Sequence, residues 1–588
     1  MLAALRDRFL HDRRFAFRIV ALAFLVLGLA LYANSFGNQL FWDDQDGILN
    51  NVFIRDWANL PKFFSENLIA GSGLVSNYWR PLLLILYATE WHLWGAAPFG
   101  YHVVSTLIHI AAAILAYALL DRLFARRGLA LFASLVFLVH PLQTEAVTYV
   151  SGRGDPLAIL LMLGSILLFL RHRDEGDPKA EDPIYWGSIF LFLLSLLTKE
   201  TAIALPALIV LCDWFANGRG KSLKNYAIDI LRAAWPFLVL LGGYALLRLT
   251  ALNFNHITNL YGRETPFTEN FHVRLFTFFR VMTVYAALLV APVTLYMERA
   301  VPVALSFWSW DVAGGALLCA ALLAAAVASW KRLPEAAFGI AWFFIRILPN
   351  TNLLVPNSAL LYEHWLYSPL LGWFFAVAGG FAAACAWVAA RRPASGLMLR
   401  RLGVGLAVLF LALLSARTVL RNREWHDPIT FYNQLLEHAQ PSYRVLNNLG
   451  MAYDEARRYD EALPIYERAI ALDPGNPVAY HNIGTMWRQR GEMEKAVAAF
   501  SKALELDPNF LFSYKSLAAS YLDSGRPAEA SQTLERLAGR LADPAARADV
   551  FRLLAALARS QGDTDSAARY AAMAGDRAEQ PATGELPH

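Results

Sequence analysis

Four short polar segments carry residue types suited to acid–base and phosphate chemistry. The first is Phe41-Trp42-Asp43-Asp44-Gln45-Asp46, running on to Ile48 and Asn51. The second runs from His140-Pro141-Leu142-Gln143-Thr144-Glu145 to Ser151-Gly152-Arg153-Gly154-Asp155. The third is Lys199-Glu200-Thr201, and the fourth is Tyr362-Glu363-His364-Trp365. Arg80, in Tyr78-Trp79-Arg80-Pro81, and His102 are further basic candidates. A carboxylate can take the proton of a hydroxyl, and arginine and lysine suit a phosphate group. Each segment alone reads equally well as loop charge or interface anchor. Charges at membrane depth are costly unless paired or hydrated, so all four at one membrane face would point to a shared cavity.

The elements that must position them are apolar helices. Of 588 residues, 57% are hydrophobic and 17% charged, whereas soluble domains carry about 45–50% and about 25%. The excess lies before about residue 420. The net charge of +4 is too small to imply a nucleic-acid partner. Cys212, Cys319 and Cys385 each sit in an apolar stretch, unlike disulfide or zinc-ligand cysteines. The apolar run from about Phe17 to Ser35 is long enough to cross a bilayer, and Tyr32-Ala33-Asn34 is a poor cleavage site. It reads as a retained first span.

Basic residues favour the cytoplasmic side of short loops. Arg6, Arg8, Arg13, Arg14 and Arg18 place the N-terminus inside, as do Arg122/Arg126/Arg127, Arg171/Arg173, Arg219/Lys221/Lys224, Lys331/Arg332 and Arg391/Arg392 for their loops. Counting crossings between these loops predicts spans near 17–35, 101–120, 129–149, 156–170, 185–198, 202–217, 232–250, 312–330, 335–349, 367–390 and 402–420. The same count makes 81–94 and 274–297 re-entrant or interfacial. About eleven spans leave the C-terminal part outside, with all four polar segments on that side.

After residue 440 a 34-residue period appears. Gly450 recurs as Gly484, Ala462 as Ala496, Tyr466 as Phe500, Ala469 as Ala503 and Pro474 as Pro508. Paired helices with small residues at their close approach and proline ending the second helix are the tetratricopeptide pattern. A third unit has Tyr521 and Ala530 in register, and a degenerate fourth covers about 545–573. The expected fold is all-α: a polytopic bundle over 1–425, a repeat α-solenoid over 426–578 and a disordered tail over 579–588. The concave face of such arrays suits peptides, and a structural module is the alternative.

The ordered set resembles the transmembrane and tetratricopeptide-repeat O-mannosyltransferases and their bacterial relatives, within the GT-C class of polyprenyl-phosphate-sugar-dependent glycosyltransferases. The matching residues are Asp43-Asp44 with Ile48 and Asn51, His140-Pro141 with Thr144-Glu145-Ala146-Val147, Gly152-Arg153 with Asp155, Lys199-Glu200, and Glu363 with Leu366-Tyr367. The repeats follow the last span as in that family. The resemblance implies a GT-C-like bundle and an inverting transfer of mannose or another hexose from a polyprenyl-phosphate donor. The acceptor would be a protein or peptide held by the repeats. Asp43 becomes the catalytic carboxylate with Asp44 beside it. Arg80, His102, His140, Glu145, Arg153, Asp155, Lys199, Glu200, Glu363 and His364 become candidates for donor phosphate and sugar. Some members of the class hold a divalent ion such as Mg or Mn at the acidic pair, and others do not. The sequence departs from the animal proteins at His364, where arginine is expected. Its array is also short. The composition suggests a bacterial inner membrane with periplasmic repeats. Competing readings are a glycan- or lipid-directed glycosyltransferase, a membrane scaffold that recruits partners through the repeats, and a transporter. The last would place its charges at mid-depth in several spans.

Overall fold

A computed structural model describes residues 8, 11–174, 182–254, 265–297, 299, 301–353, 359–438 and 442–575. The expected disordered tail and Arg6 lie outside the described residues. Among these residues the chain forms helices and no strands. It divides into two units, Met1–Phe431 and Tyr432–His588.

The helices of nine residues or more in the first unit are α1 Arg13–Tyr32, α2 Pro81–Trp94, α3 Pro98–Phe124, α4 Arg127–Val139, α5 Gly154–Asp174, α6 Pro183–Leu196 and α7 Leu205–Asp213. Then come α8 Leu223–Leu249, α9 Phe271–Val290, α10 Trp310–Ser329, α11 Pro334–Ile347, α12 Pro369–Arg391 and α13 Pro393–Glu424. A further helix, α14 Pro428–His438, crosses the boundary between the units. Among the described residues nine helical stretches are long and apolar enough to cross a membrane, or ten if the bent pair Arg127–Val139 and Pro141–Val147 is one span. The first unit is thus the bundle of a multi-pass membrane protein.

Two expectations about individual spans change. The stretch 274–297, expected to re-enter, contains the unbroken twenty-residue α9, which is long and apolar enough to cross. A charge count over loops is an indirect signal, whereas helix length is read directly from the backbone. Conversely, the spans expected at 185–198 and 335–349 are fourteen-residue helices, α6 and α11. At 1.5 Å per residue each is about 21 Å long, short of a hydrocarbon core of about 30 Å. Both are held by neighbouring helices. Ser165 and Ser188 exchange side-chain-to-carbonyl hydrogen bonds of 2.8 and 2.7 Å between α5 and α6. In α11 a Cβ on Gly339 would lie 2.2 Å from the Gly372 carbonyl oxygen, so α11 and α12 touch backbone to backbone.

Prolines explain where the polar segments fall. Pro81 and Pro369 occupy the first turns of α2 and α12, and Pro156 that of α5. Pro141 follows the end of α4 and marks a 51° bend. Proline fits a first helical turn because its missing N–H would be unbonded there anyway. Arg80, His140, Asp155 and Ser368 are therefore each left at a helix end beside a proline. The stretch 81–94, expected not to cross, is the fourteen-residue α2. Leu83, Leu84, Tyr87 and Ala88 of α2 pack with Leu40, Ile48, Ile54, Phe63, Tyr101 and Val150 in a small core separate from that of the bundle.

In the second unit, α15 Tyr443–Glu455 and α16 Tyr459–Leu472, α17 Pro477–Gln489 and α18 Met493–Leu506, α19 Leu511–Asp523 and α20 Pro527–Arg540, and α21 Pro544–Ser560 and α22 Thr564–Met573 make four helix pairs. The repeated glycines face the repeated aromatics. A Cβ on Gly450 would lie 2.5 Å from the Tyr466 ring, and one on Gly484 would lie 2.8 Å from that of Phe500. A leucine at either place overpacks the pair at a cost of about 1–3 kcal/mol. Replacing both Gly450 and Gly484 with leucine is expected to loosen the repeats and spare the bundle. Limited proteolysis of the full chain should then cut within 442–575 and leave the first unit whole. Unchanged protection of 442–575 would contradict this packing account.

Candidate functional site

The first acidic segment is held in an uncommon backbone. Trp42 has φ of 60°, which a non-glycine residue adopts only when its surroundings enforce it. The next residue, Asp43, is exposed and donates its backbone N–H to the Tyr149 hydroxyl at 3.2 Å. Tyr149 stacks on Trp425 at 5.3 Å. Asp44 faces the other way and is buried. Its Oδ1 accepts from the Ser151 N–H at 2.7 Å and from the Ser151 hydroxyl at 2.5 Å. Burial pushes the Asp44 carboxyl up to about 7, against the pull of Ser151 and Arg153. The two adjacent carboxylates thus differ: one is exposed, the other enclosed.

The turn after the bend supplies the next layer. A Cβ on Gly152 would lie 2.4 Å from the Glu145 carbonyl oxygen, so only glycine lets residues 145 and 152 meet. Arg153, fully buried, donates through Nη1 to both Glu90 oxygens at 2.6 Å and through Nη2 to the Tyr101 carbonyl at 2.8 Å. Glu90 lies on α2, so this pair ties the small core to the turn. A phosphate could reach Arg153 only by displacing Glu90.

A second set of charges gathers four residues further on. Lys199 donates to Asp155 at 2.7 Å. His364 Nε2 lies 3.9 Å from the same carboxylate. His364 donates its backbone N–H to Glu145 at 3.0 Å, and its Nδ1 is bonded to the other oxygen of that carboxylate at 2.7 Å. The order Glu145–His364–Asp155–Lys199 therefore joins three of the four polar segments. Ser151, which holds Asp44, is separated from Asp155 by four residues, a reach of at most about 14 Å. Beside this set Arg80 makes a two-pronged pair with Glu200 at 3.3 and 2.9 Å. Glu363 is buried and accepts from the Tyr296 N–H at 2.8 Å, with Arg299 at 3.4 Å and Arg421 at 3.6 Å. Burial and Glu145 raise the Glu363 carboxyl, while Arg421 and Arg299 pull it down.

Of the three candidate histidines, His102 and His140 each spend one ring nitrogen on backbone, and the other nitrogen of each is buried without a hydrogen-bond partner. His102 Nε2 is bonded to the Asn38 carbonyl at 3.0 Å, and His140 Nδ1 accepts from the Leu142 N–H at 3.2 Å. The first ties the loop before Asp43 to α3, and the second caps the turn after the bend. As for a divalent ion at Asp43 and Asp44, the residues do not make a cradle. Asp44 is taken up by Ser151, and no group of three or more histidine, cysteine or acidic residues able to hold a metal gathers among the described residues.

Sequence reasoning missed Arg346. It lies in α11, 3% exposed, and donates to the Ser368 hydroxyl at 2.6 Å and the Thr201 carbonyl at 2.9 Å. Among the described residues no carboxylate pairs with it directly, and Asp155 is the acid whose charge acts on it. Its signal was present: a lone arginine near the end of an apolar helix is a functional candidate by its cost alone. The end of α13 and the residues just after it were missed as well. Asn422 Nδ2 donates to the Leu31 carbonyl at 3.1 Å, its Oδ1 accepts from Thr148 at 2.9 Å, and Gln39 N–H donates to the His426 carbonyl at 3.0 Å. These bonds clamp the acidic segment to the end of the last apolar helix.

Comparison with known proteins covers both units. Residues 413–477 and 447–509 match the tetratricopeptide repeat. The human protein O-mannosyl-transferase TMTC1 is 27% identical over 482 residues, covering 75% of this chain and 54% of that protein. The Caenorhabditis elegans protein O-mannosyl-transferase F38B6.6 is 24% identical over 467 residues, covering 77% and 62%. The Drosophila melanogaster protein O-mannosyl-transferase Tmtc2 is 34% identical over 234 residues, covering 38% and 24%. The chain spans about half the length of the curated relatives it matches. A crystal structure of ArnT from Cupriavidus metallidurans bound to undecaprenyl phosphate aligns over 88% of this chain and 80% of that one, at 14% identity and a TM-score of 0.36, too loosely to bear on the site. With protein O-mannosyl-transferases as relatives along about three quarters of its length, and a matched repeat array after the last apolar helix, the chain is similar to the transmembrane and tetratricopeptide-repeat O-mannosyltransferases.

Proposed function

We propose that this protein is an inverting glycosyltransferase that moves a hexose, mannose by its relatives' names, from a polyprenyl-phosphate donor to hydroxyl groups of exported proteins. The observation that carries this reading is the exposed carboxylate of Asp43 next to Asp44, whose partner Ser151 leads along the chain to Asp155, where the cations Lys199 and Arg346 and the imidazole of His364 gather. Asp43 takes the acceptor hydroxyl's proton. The oxygen attacks the anomeric carbon, the bond from that carbon to the phosphate oxygen breaks, and polyprenyl phosphate leaves with the electron pair. The cations stabilise the charge that gathers on the phosphate as it leaves. A single displacement inverts the sugar carbon.

The repeats supply a surface for a polypeptide acceptor. A groove of 840 Å³ in the second unit is lined in part by Tyr514, Tyr521, Glu529, Arg536 and Arg540. We place the site and the repeats on the outer face of a bacterial inner membrane, with the N-terminus in the cytoplasm, on the distribution of arginine and lysine among the loops.

The test is transfer by purified protein in lipid, offered polyprenyl-phosphate mannose and other polyprenyl-phosphate hexoses. Acceptors are exported proteins and a mixture of glycans and lipids, read by mass spectrometry. The expected result is a gain of one hexose on serine or threonine of a protein. Labelling only of glycan or lipid would overturn the protein acceptor. No transfer from any of these donors would overturn the enzyme reading.

A further inference from the structure

The end of the bundle away from the acidic segment carries a second cluster of charges that the proposed reaction does not use. Along α3, His102 and Asp121 are nineteen residues apart, or about 28 Å at 1.5 Å per residue. Along α11, Glu335 lies about 16 Å from Arg346 by the same measure. At this far end an open cavity of 660 Å³ is lined by Arg13, Asp121, Arg126 and Arg127, with Ala125, Gly128, Leu129 and Ala382 as its apolar wall.

Its charged groups pair with one another and still face the open cavity. Asp121 is buried and takes Arg13 Nε at 2.9 Å, while Arg127 stands 3.7 Å from its other oxygen. Arg13 Nη2 also donates to the Asp121 carbonyl at 2.7 Å. Arg126 pairs with buried Glu335 at 3.0 Å. Three guanidinium groups thus stand beside two carboxylates at the cavity. Each guanidinium offers five N–H donors, and the side chains of Arg13 and Arg126 remain 56% and 53% exposed. Ala125 takes a left-handed turn, φ of 52°, which ends α3 and lets α4 begin directly at the cavity wall. Nothing lies within 4 Å of a Cβ built on Gly128, so the floor there is open.

We propose that this cavity binds the phosphate of an anionic membrane lipid. The ligand chemistry is a phosphate monoanion joined to an apolar tail. The arginines meet the phosphate, and the wall of Ala125, Leu129 and Ala382 meets the start of the acyl chains. Its position favours a lipid over a soluble anion. The cavity is built from α1, α3, α4 and α12, with Arg13, Asp121 and Arg127 at the ends of apolar helices, where headgroups lie. Basic pockets between membrane helices take anionic headgroups in this way. The proposal does not rest on the transferase reading.

The probe is phosphatidylglycerol, titrated into the full chain in a neutral detergent, with the thermal unfolding midpoint as readout. Phosphatidylcholine and inorganic phosphate serve as parallel arms. Phosphatidylglycerol is expected to raise the midpoint and the other two to leave it unchanged. Arg126→Gln alone would strand Glu335, so the variant combines Arg126→Gln with Glu335→Gln. It should need about fivefold more phosphatidylglycerol for the same rise, because the double change leaves the net charge unaltered and takes away the guanidinium N–H donors that Arg126 offers the phosphate, about 1 kcal/mol. Arg391→Gln with Arg392→Gln, outside the cavity lining, should titrate like the wild type. A cavity variant that also does so would overturn the site. An equal rise with inorganic phosphate would overturn the lipid assignment. As a second measurement, a photoreactive phosphatidylglycerol should label peptides spanning 121–129 in the wild type. Labelling only elsewhere would overturn the proposal even if the variant fails to fold.

Discussion

Asp43→Asn is expected to cut turnover by about a hundredfold or more and to leave donor affinity within about twofold of the wild type, because a general base contributes about 10²–10⁴ in rate and little to binding. Two features select Asp43 over its neighbour. Asp43 is exposed on a backbone set by the left-handed Trp42, and Asp44 is buried against Ser151. Burial lifts the Asp44 carboxyl from the ordinary value of 3.8 to about 7. Over that range Asp44 keeps a proton in the folded chain that the unfolded chain has lost, so stability falls as pH rises through the window. Below about 7, then, Asp44 is a mostly neutral neighbour of Asp43. Asn at 43 keeps the shape and removes the base. Asn at 44 keeps a carbonyl for Ser151, flattens the fall in stability over that window and should spare much of the rate. Initial rates and donor titration by calorimetry, for both variants across pH, check this. Near-normal turnover by Asp43→Asn would end its assignment as the base and turn attention to Asp44, Asp46 or Glu145.

What could be read in the sequence follows from how local each signal is. The repeats were legible because Gly450 and Gly484 recur against Tyr466 and Phe500 at one spacing, and that spacing is the contact itself. Most apolar helices were legible because length and hydropathy are local properties. The length of α9 is hidden by a count through Lys331 and Arg332, in which one pair of cations decides a distant crossing. The fourteen-residue α6 and α11 read as spans because an apolar run does not say whether lipid or other helices cover it. In the site, the residue types were legible and their pairing was not. Arg153 reads from sequence as a free cation near an anion site, but Glu90, 63 positions earlier, closes on it. The order Glu145–His364–Asp155–Lys199 spans 219 positions between its first two members, so no spacing rule could find it. The histidines at 102 and 140 look reactive in sequence, and no spacing shows that each spends one ring nitrogen on distant or local backbone.

Arg346→Met is expected to weaken donor binding by about tenfold or more and to leave the thermal midpoint unchanged or higher. The two effects have one cause. Arg346 is 3% exposed and bonded to a hydroxyl and a carbonyl, with no carboxylate pairing directly with it among the described residues. An underpaired buried cation is a cost to the fold that an apolar residue of similar volume relieves. Such a cost persists where function needs the charge, and a phosphate arriving beside Asp155 and Lys199 would supply the missing counter-charge. A charge-assisted hydrogen bond to that phosphate is worth about 1.5–3 kcal/mol, which is roughly tenfold to a hundredfold in affinity. The other cations should behave differently. Arg153→Ala strands Glu90 and Lys199→Ala strands Asp155, both buried, and removing one partner of a buried pair costs about 3–5 kcal/mol. Their loss of donor binding will therefore come with a lower midpoint, so only Arg346 separates binding from folding. Donor affinity by competition, beside the unfolding midpoint in the same detergent, reads both. If Arg346→Met binds donor normally, Arg346 is a packing residue; if its midpoint falls by several degrees, the bonds to Ser368 and Thr201 outweigh the desolvation of the charge.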